Sequence, residues 1–129
     1  MFRAIEMLAL TDCSDLMVVA ADGQRFVGVL AEGDLLRAAL PKIDDVLGAG
    51  GSLHDAFALF ETRGAALAND PIGPLVIREP LTVGPSDHIG KAAVILVERY
   101  IRRLPVIHEG NLVGTISRPD IARGLAGVL

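Results

Sequence analysis

The sequence predicts an α/β protein that contains two unequal copies of one strand, turn, strand, helix pattern. Short runs of branched aliphatic residues bounded by turn residues, typical of strands, alternate with segments whose apolar residues recur at helical spacing. Residues 25–40 also align with residues 111–126 at an offset of 86 positions. The identical pairs in that alignment are Val27 and Val113, Gly28 and Gly114, Asp34 and Asp120, and Arg37 and Arg123. Shared element order and shared residues together indicate an internal repeat.

Composition and length favour a soluble protein with a substantial core. Of the 129 residues, 51% are hydrophobic, which argues against a disordered chain. The size suits one compact domain or two small halves that share a core. No apolar run approaches the ~18 residues of a membrane span, and no signal-peptide pattern begins the chain. Cys13 alone cannot form an internal disulfide, which suits a reducing compartment. We therefore expect a cytoplasmic protein without a membrane partner.

The first copy is predicted to occupy residues 1–40. A helix at about 2–12 comes first, because its apolar residues recur at helical spacing. Strands at 16–20 and 26–31 follow, joined by a polar turn that contains Asp and Gly, and a helix at 33–40 ends the copy.

Residues 41–70 are predicted to connect the two copies. Glycines at 48–51 form a flexible joint, and Ser52 followed three positions later by Asp55 is an arrangement that begins a helix. This connector helix is predicted at 53–68, before an Asn-Asp-Pro stop. Packing between the copies is its expected role, with docking as the alternative.

The second copy is predicted to occupy residues 71–129. Its strands are predicted at 75–77, 104–108 and 112–116, and its helices at 87–100 and 119–127. One face of the first of these helices carries Ile89, Ala92, Ala93, Leu96, Val97 and Tyr100. Val94 and Ile95 lie off that face, which predicts a second packed surface such as a subunit contact.

The stretch from Ile101 to Asp120 predicts a pocket for a small anion. Arg102 and Arg103 precede two apolar strands, and Ser117 stands three positions before Asp120 at the start of the last helix. The last 39 residues carry six basic and three acidic side chains, although the net charge of the protein is −4. A compact positive patch suits a small anion better than nucleic acid, whose binders are usually basic overall. A molecule that carries both a sugar and a phosphate would fit this chemistry.

With these residues in view, the chain resembles a tandem pair of cystathionine-beta-synthase (CBS) domains, the Bateman module. Residues 71–127 resemble a complete copy through the lead-in segment Pro80–Val83, the segment Arg102–Val106 and the segment Gly114–Asp120. The first copy resembles the family only from about Phe2 to Leu40 and lacks the lead-in strand. The resemblance implies two β-α-β-β-α repeats packed sheet to sheet, with a connector helix between them.

The resemblance also implies a regulatory sensor rather than an enzyme. Clefts between the copies in this family often hold adenosine nucleotides or S-adenosylmethionine, and the pairs commonly form dimers. We therefore expect a homodimer that requires no cofactor and that binds AMP, ADP or ATP, with S-adenosylmethionine as a further candidate. An unidentified protein partner stays open, whereas nucleic acid is not expected.

The resemblance and the side-chain chemistry together assign ligand-binding roles to Thr82, Val83, Arg102, Arg103, Pro105, Ile107, Ser117 and Asp120. Asp120 would accept hydrogen bonds from the ribose hydroxyls, and Ser117 would offer its hydroxyl to ribose or phosphate. Arg103, and less directly Arg102, would neutralise the phosphate. Thr82 and Val83 would line the adenine side, and backbone groups near Ile107 or His108 would read the base edge.

A purely structural interpretation of the same residues stays open from the sequence. Ser-x-x-Asp also begins helices that bind nothing, and Pro119 at the first helical position strengthens that interpretation. Arg102 and Arg103 are also suited to ion pairs with Glu98 and Glu109.

The first copy predicts a weaker site. Asp34 remains, but Ala31 stands where the second copy has Ser117, and Asp15 stands where it has Arg103. Like charges about 4 Å apart repel by roughly 4 kcal/mol at an effective dielectric near 20, so a phosphate is disfavoured there. We expect one nucleotide per chain, with the first site empty or open only to an uncharged or cationic group.

Metal binding and catalysis have little support in the sequence. His54, His88 and His108 lie on different predicted elements without further ligands at metal-binding spacing. Neither of the common glycine motifs that cradle phosphates occurs. We expect no metal site and no enzymatic activity. Two alternatives stay open, a dimerisation or docking module without a ligand and, more distantly, an adenylate-processing enzyme.

Overall fold

The computed structural model describes residues 1–127 and confirms an α/β fold with two two-stranded sheets. Its elements in chain order are α1 (Phe2–Thr11), β1 (Asp15–Val19), β2 (Phe26–Ala31), α2 (Glu32–Ala39), α3 (Ile43–Gly48), α4 (Leu53–Leu67), a 3-10 turn (Gly73–Leu75), α5 (Ile89–Glu98), β3 (Arg103–His108), β4 (Asn111–Ser117) and α6 (Arg118–Leu125). Helix α6 begins and ends 86 positions after α2, so the offset in the sequence also relates the backbone elements. Within residues 1–127, no helix combines the length and hydropathy needed to cross a membrane.

The contacts between residues divide the chain into two compact units, and the boundary passes through the first hairpin. Unit 1 comprises Met1–Leu16 and Leu30–Val76, and unit 2 comprises Met17–Val29 and the chain from Ile77 onward. Each unit therefore contains part of the first hairpin, and all of β3, β4, α5 and α6 belong to unit 2.

Unit 1 contains the four helices α1 to α4. The start of α1 is tied to the end of α4, because the Phe2 N–H donates to the Ala68 carbonyl at 3.0 Å. Helix α4 begins at the predicted cap. There the Asp55 N–H donates to Ser52 Oγ at 3.2 Å, while the Ser52 N–H donates to the Asp55 carboxylate at 2.7 Å. The buried apolar residues of this unit are Ala4, Leu8, Leu30, Leu35, Ala39, Ala56 and Val76.

Unit 2 is organised around the antiparallel pair of β3 and β4. Arg103 lies opposite Ser117 and Pro105 opposite Thr115, and a bulge interrupts the register after Val106. Helices α5 and α6 lie against this hairpin, with a core of Val83, Ala92, Leu96 and Leu104 supported by Ile95, Ile101, Val106, Ile116 and Ile121. Val83, the last residue of the lead-in segment, extends the sheet. Its N–H donates to the Pro105 carbonyl, and its carbonyl accepts from the Ile107 N–H.

The strand predicted at 75–77 is wrong. Gly73–Leu75 forms a 3-10 turn, and Ile77 makes a single antiparallel bridge with Val29. The fixed φ of Pro74 suits the first residues of a helical turn, and this turn uses the N–H groups of Leu75 and Val76, which donate to the Ile72 and Gly73 carbonyls.

Two helical features also differ from the prediction. Helix α3 (Ile43–Gly48) was not predicted, because six residues are too few for a periodic pattern. On α5, Ile95 packs against the core, whereas Val97 and Tyr100 are exposed. The helix ends at Glu98, and Tyr100 has a positive φ, so Tyr100 does not continue the predicted helical face.

We expect Leu104→Ala to lower the free energy of unfolding by about 2–5 kcal/mol, because Leu104 is 1% exposed and its truncation leaves a cavity. Leu10→Ala is the matched control, since Leu10 is 79% exposed, and its effect is expected within about 0.5 kcal/mol. Urea denaturation followed by circular dichroism measures both. Equal effects of the two substitutions would contradict the assignment of the core.

Candidate functional site

The candidate site begins at the junction between β4 and α6. Ser117 is the N-cap residue of α6, it is 7% exposed, and Pro119 lies in the first turn. The Ser117 backbone N–H and its hydroxyl both donate to Asp120 Oδ2, at 2.7 and 2.8 Å. The Ser-x-x-Asp motif therefore forms a capping box that orients both side chains at the start of the helix.

Asp120 is held in its charged form by its surroundings. The hydroxyl of Ser117 and then the backbone N–H of Ser117 lower the pKa of this carboxyl by more than burial raises it, and the positive charges of Arg123 and Arg103 make smaller contributions that also lower it. Arg123 also forms an ion pair with Asp120 Oδ1. At neutral pH the start of α6 therefore carries a carboxylate with preorganised neighbours.

Arg103 lies on the same part of the hairpin. It is paired with Ser117 across the sheet, and its charge acts on Asp120. Its Nη1 donates to Thr115 Oγ1 at 2.8 Å. The structure therefore brings together three predicted site residues, Arg103, Ser117 and Asp120. The structure also places Thr115 at this site, a residue that the sequence analysis did not predict. Its position two residues before Ser117 on the same strand could have indicated this, because such residues share a face of the sheet.

The remaining predicted site residues have different surroundings. Val83 packs in the core beside Leu104, and both of its backbone groups bond to β3. Pro105 is fully buried, and the Ile107 N–H is already bonded to the Val83 carbonyl, so it is not free to read a base edge. Thr82 and Arg102 are exposed. Among the described residues, no hydrogen bond or ion pair joins Arg102 or Arg103 to Glu98 or Glu109.

A cavity of about 230 Å³ lies in unit 2 beneath the loop that precedes α5, and Val83 is one of its lining residues. The polar side chains that line it already have partners. Asp87 accepts hydrogen bonds from the Gly84 N–H and from Lys91, and His88 Nδ1 accepts one from the Gly90 N–H. These bonds organise the loop and the start of α5.

The first copy has the same hairpin and following helix as the second, with different chemistry. Asp34 forms an ion pair with Arg37, as Asp120 does with Arg123. Ala31 is the N-cap residue of α2 and makes no side-chain bond to the helix. The carboxylate and arginine of the repeat are therefore kept, and the serine cap is lost.

Metal ligands are not clustered in the described part of the chain. Within residues 1–127, no group of three His, Cys, Asp or Glu side chains is placed to hold an ion.

Comparisons with known proteins agree with this architecture. Residues 72–127 match the CBS domain family. The chain is 29% identical to the chloroplastic CBS domain-containing protein CBSX1 of Arabidopsis thaliana, over 94% of this chain and 53% of that protein. It is 26% identical to the protein MJ1225 of Methanocaldococcus jannaschii, over 81% of this chain and 29% of that protein. The chain thus spans about half or less of the length of these two relatives.

Solved structures of CBS-pair proteins are similar as well. CBSX2 in complex with AMP superposes with a TM-score of 0.67 at 29% identity, covering 98% of this chain and 82% of that one. CBSX2 from Arabidopsis thaliana gives a TM-score of 0.74 at 25% identity, covering 98% of this chain and 79% of that one. These similarities confirm the resemblance to a tandem CBS-domain pair, and the missing lead-in strand of the first copy stays a prediction.

We expect Asp120→Asn to lower the free energy of unfolding at pH 7 by about 0.5–2 kcal/mol, the usual effect of losing a helix cap. The pKa of Asp120 is lowered in the folded protein, so its contribution is complete above the usual value of 3.8 and is lost as pH falls through the folded value. The difference between wild type and variant is therefore constant from about pH 5 to 7 and shrinks below about pH 4.

Asp34→Asn is the matched control, because Asp34 has the corresponding arginine but no serine cap. Denaturant unfolding across this pH range measures both proteins. A larger loss for Asp34→Asn than for Asp120→Asn would contradict the capping role.

Proposed function

Because this chain is a tandem CBS-domain pair in fold, with a CBS domain at residues 72–127, we propose that it is a regulatory module that binds an adenosine nucleotide at its second copy. The observation that supports the proposal most is the cluster of Arg103, Ser117 and Asp120 at the start of α6. It combines a cation, a hydroxyl and an ionised carboxylate, which are the groups that a nucleoside phosphate needs. The AMP complex of CBSX2 supports the choice of ligand class.

Asp120 binds the ribose in this proposal. A carboxylate offers about four lone-pair directions. Three of them are taken, two by the donors of Ser117 and one by Arg123. One ribose hydroxyl can therefore bond without rearrangement, and a second takes the place of the Ser117 hydroxyl or of Arg123.

Arg103 and the start of α6 bind the phosphate in this proposal. The guanidinium carries five donors, and its bond to Thr115 uses one of them, so the others are left for phosphate oxygens. The positive end of the α6 helix dipole also favours an anion. The first copy has Ala31 in place of Ser117 and Asp15 in place of Arg103, which supports one nucleotide per chain.

The response to the ligand is proposed to pass through a second copy of the chain. Val94 and Val97 on α5 are 55% and 63% exposed, and Leu125 at the end of α6 is 83% exposed. A groove of about 190 Å³ runs along these two helices, lined by Ala93, Leu96, Val97, Arg118, Ile121, Ala122 and Leu125. Exposed apolar surface of this kind favours association. The same observation supports the second candidate function, a dimerisation or docking module without a ligand.

Isothermal titration calorimetry with AMP, ADP, ATP and S-adenosylmethionine tests nucleotide binding. We expect micromolar affinity for one or more of the adenosine nucleotides and one site per chain. Asp120→Ala is expected to weaken binding about 10- to 100-fold, because a charge-assisted hydrogen bond is lost. Asp34→Ala, the corresponding change in the first copy, is expected to leave affinity unchanged. Two sites per chain, or equal affinities of wild type and Asp120→Ala, would overturn the assignment.

Product formation in the same samples would favour the enzymatic alternative.

Multi-angle light scattering tests the association surface. We expect the wild type to be a dimer and Val97→Glu to be a monomer, because a charge is introduced into the apolar groove. Val113→Glu is the matched control, since Val113 is 55% exposed on β4 outside that groove, and it is expected to stay dimeric. A dimer that survives Val97→Glu would place the interface elsewhere.

A further inference from the structure

We propose that Thr115 is a positioning residue for the phosphate end of the ligand, and that it lets this site discriminate a nucleotide from an uncharged nucleoside. The inference rests on the proposed nucleotide function. It concerns a residue with no assigned role in that function, and it follows from the bond between Thr115 Oγ1 and Arg103 Nη1 at 2.8 Å.

The sheet register places Thr115 where it can direct Arg103. Side chains alternate between the faces of a strand, and Thr115 stands two residues before Ser117, so the two share a face. Arg103 is directly opposite Ser117, which makes Thr115 its diagonal neighbour across the pair. The hydroxyl thus holds the guanidinium on the face that also carries Ser117, where its charge acts on Asp120.

The first copy supplies an internal comparison. At the repeat offset Thr115 corresponds to Val29, which is buried and forms a bridge with Ile77. The first copy also has Asp15 in place of Arg103. The hydroxyl and the arginine therefore occur together in the second copy and are absent together from the first, which is the pattern expected if one serves the other.

The chemistry of the hydroxyl suits this role. Its oxygen accepts from Arg103, which leaves its own proton free to donate. No other hydrogen bond of the Thr115 side chain occurs within residues 1–127. The bond to Thr115 uses one of the five guanidinium donors, so Arg103 is held in place while its other donors stay available to phosphate oxygens. Fixing a long arginine before binding also lowers the ordering cost on association.

Titration of the intact chain with AMP and with adenosine tests the proposal. We expect Thr115→Val to raise the Kd for AMP about 5- to 10-fold, because Arg103 loses its bond to Thr115 and is no longer held in position for the phosphate. The Kd for adenosine, which has no phosphate, is expected to stay within about twofold of wild type. Thr115→Ser keeps the hydroxyl and is expected to restore AMP affinity. Because Thr115 is exposed and valine suits a strand, Thr115→Val is expected to fold and to melt close to wild type.

A double-mutant cycle with Arg103→Gln tests whether Thr115 acts through the arginine. In the Arg103→Gln background, Thr115→Val is expected to have an effect on AMP affinity of less than about twofold, because the two side chains act as one unit. If Thr115→Val weakens AMP binding as much in the Arg103→Gln background as in wild type, the positioning role is overturned. It is also overturned if Thr115→Val alone leaves AMP affinity unchanged, or if it weakens AMP and adenosine binding equally. Failure of the wild type to bind any adenosine nucleotide would instead remove the proposed function itself, and this inference with it.

Discussion

The antiparallel pairing of β3 with β4 is the constraint on which the candidate site depends. It puts Arg103 opposite Ser117, and because strand side chains alternate, it also puts Thr115 on the same face. The strand then passes directly into α6, so the serine that ends the sheet is also the cap of the helix. A shift of β4 by one residue in register would turn Thr115 and Ser117 to the core face and separate them from Arg103. The strand pairing thus fixes the positions of Arg103, Thr115 and Ser117, and the cap of α6 fixes that of Asp120.

The two copies show how one backbone can carry different electrostatics. Helices α2 and α6 occupy equivalent positions, and each has an aspartate paired with the arginine three residues later. Of these two helices, only α6 has a serine cap. The duplicated elements therefore preserve the fold, and a few substitutions at the strand end and the helix start separate a site suited to an anion from one that is not. This difference between the copies supports the proposal of one nucleotide per chain.

Most elements could be predicted because their patterns are local. The connector helix was found from its Ser52 and Asp55 cap, and the hairpin of β3 and β4 from aliphatic runs around a polar turn. Helix α3 could not be found, since one and a half turns carry no periodicity, and Pro74 turned an apolar run away from a strand. On α5, the apolar pattern was continuous around the helix, so the pattern alone assigned Val97 to the buried side, whereas it is exposed.

The amino-acid sequence by itself determined the repeat, the element order, the positive charge of the last 39 residues and the helix-start motif, because these depend on residues close together in the chain. Only the tertiary structure decided that Arg103 bonds to Thr115 and that Val83 serves the core. The tertiary structure also decided that the Ile107 N–H donates to the Val83 carbonyl. The physical reason is that these partners come from different strands or helices. Their meeting depends on sheet register and on which helix face is buried, and both are set by packing across the whole unit.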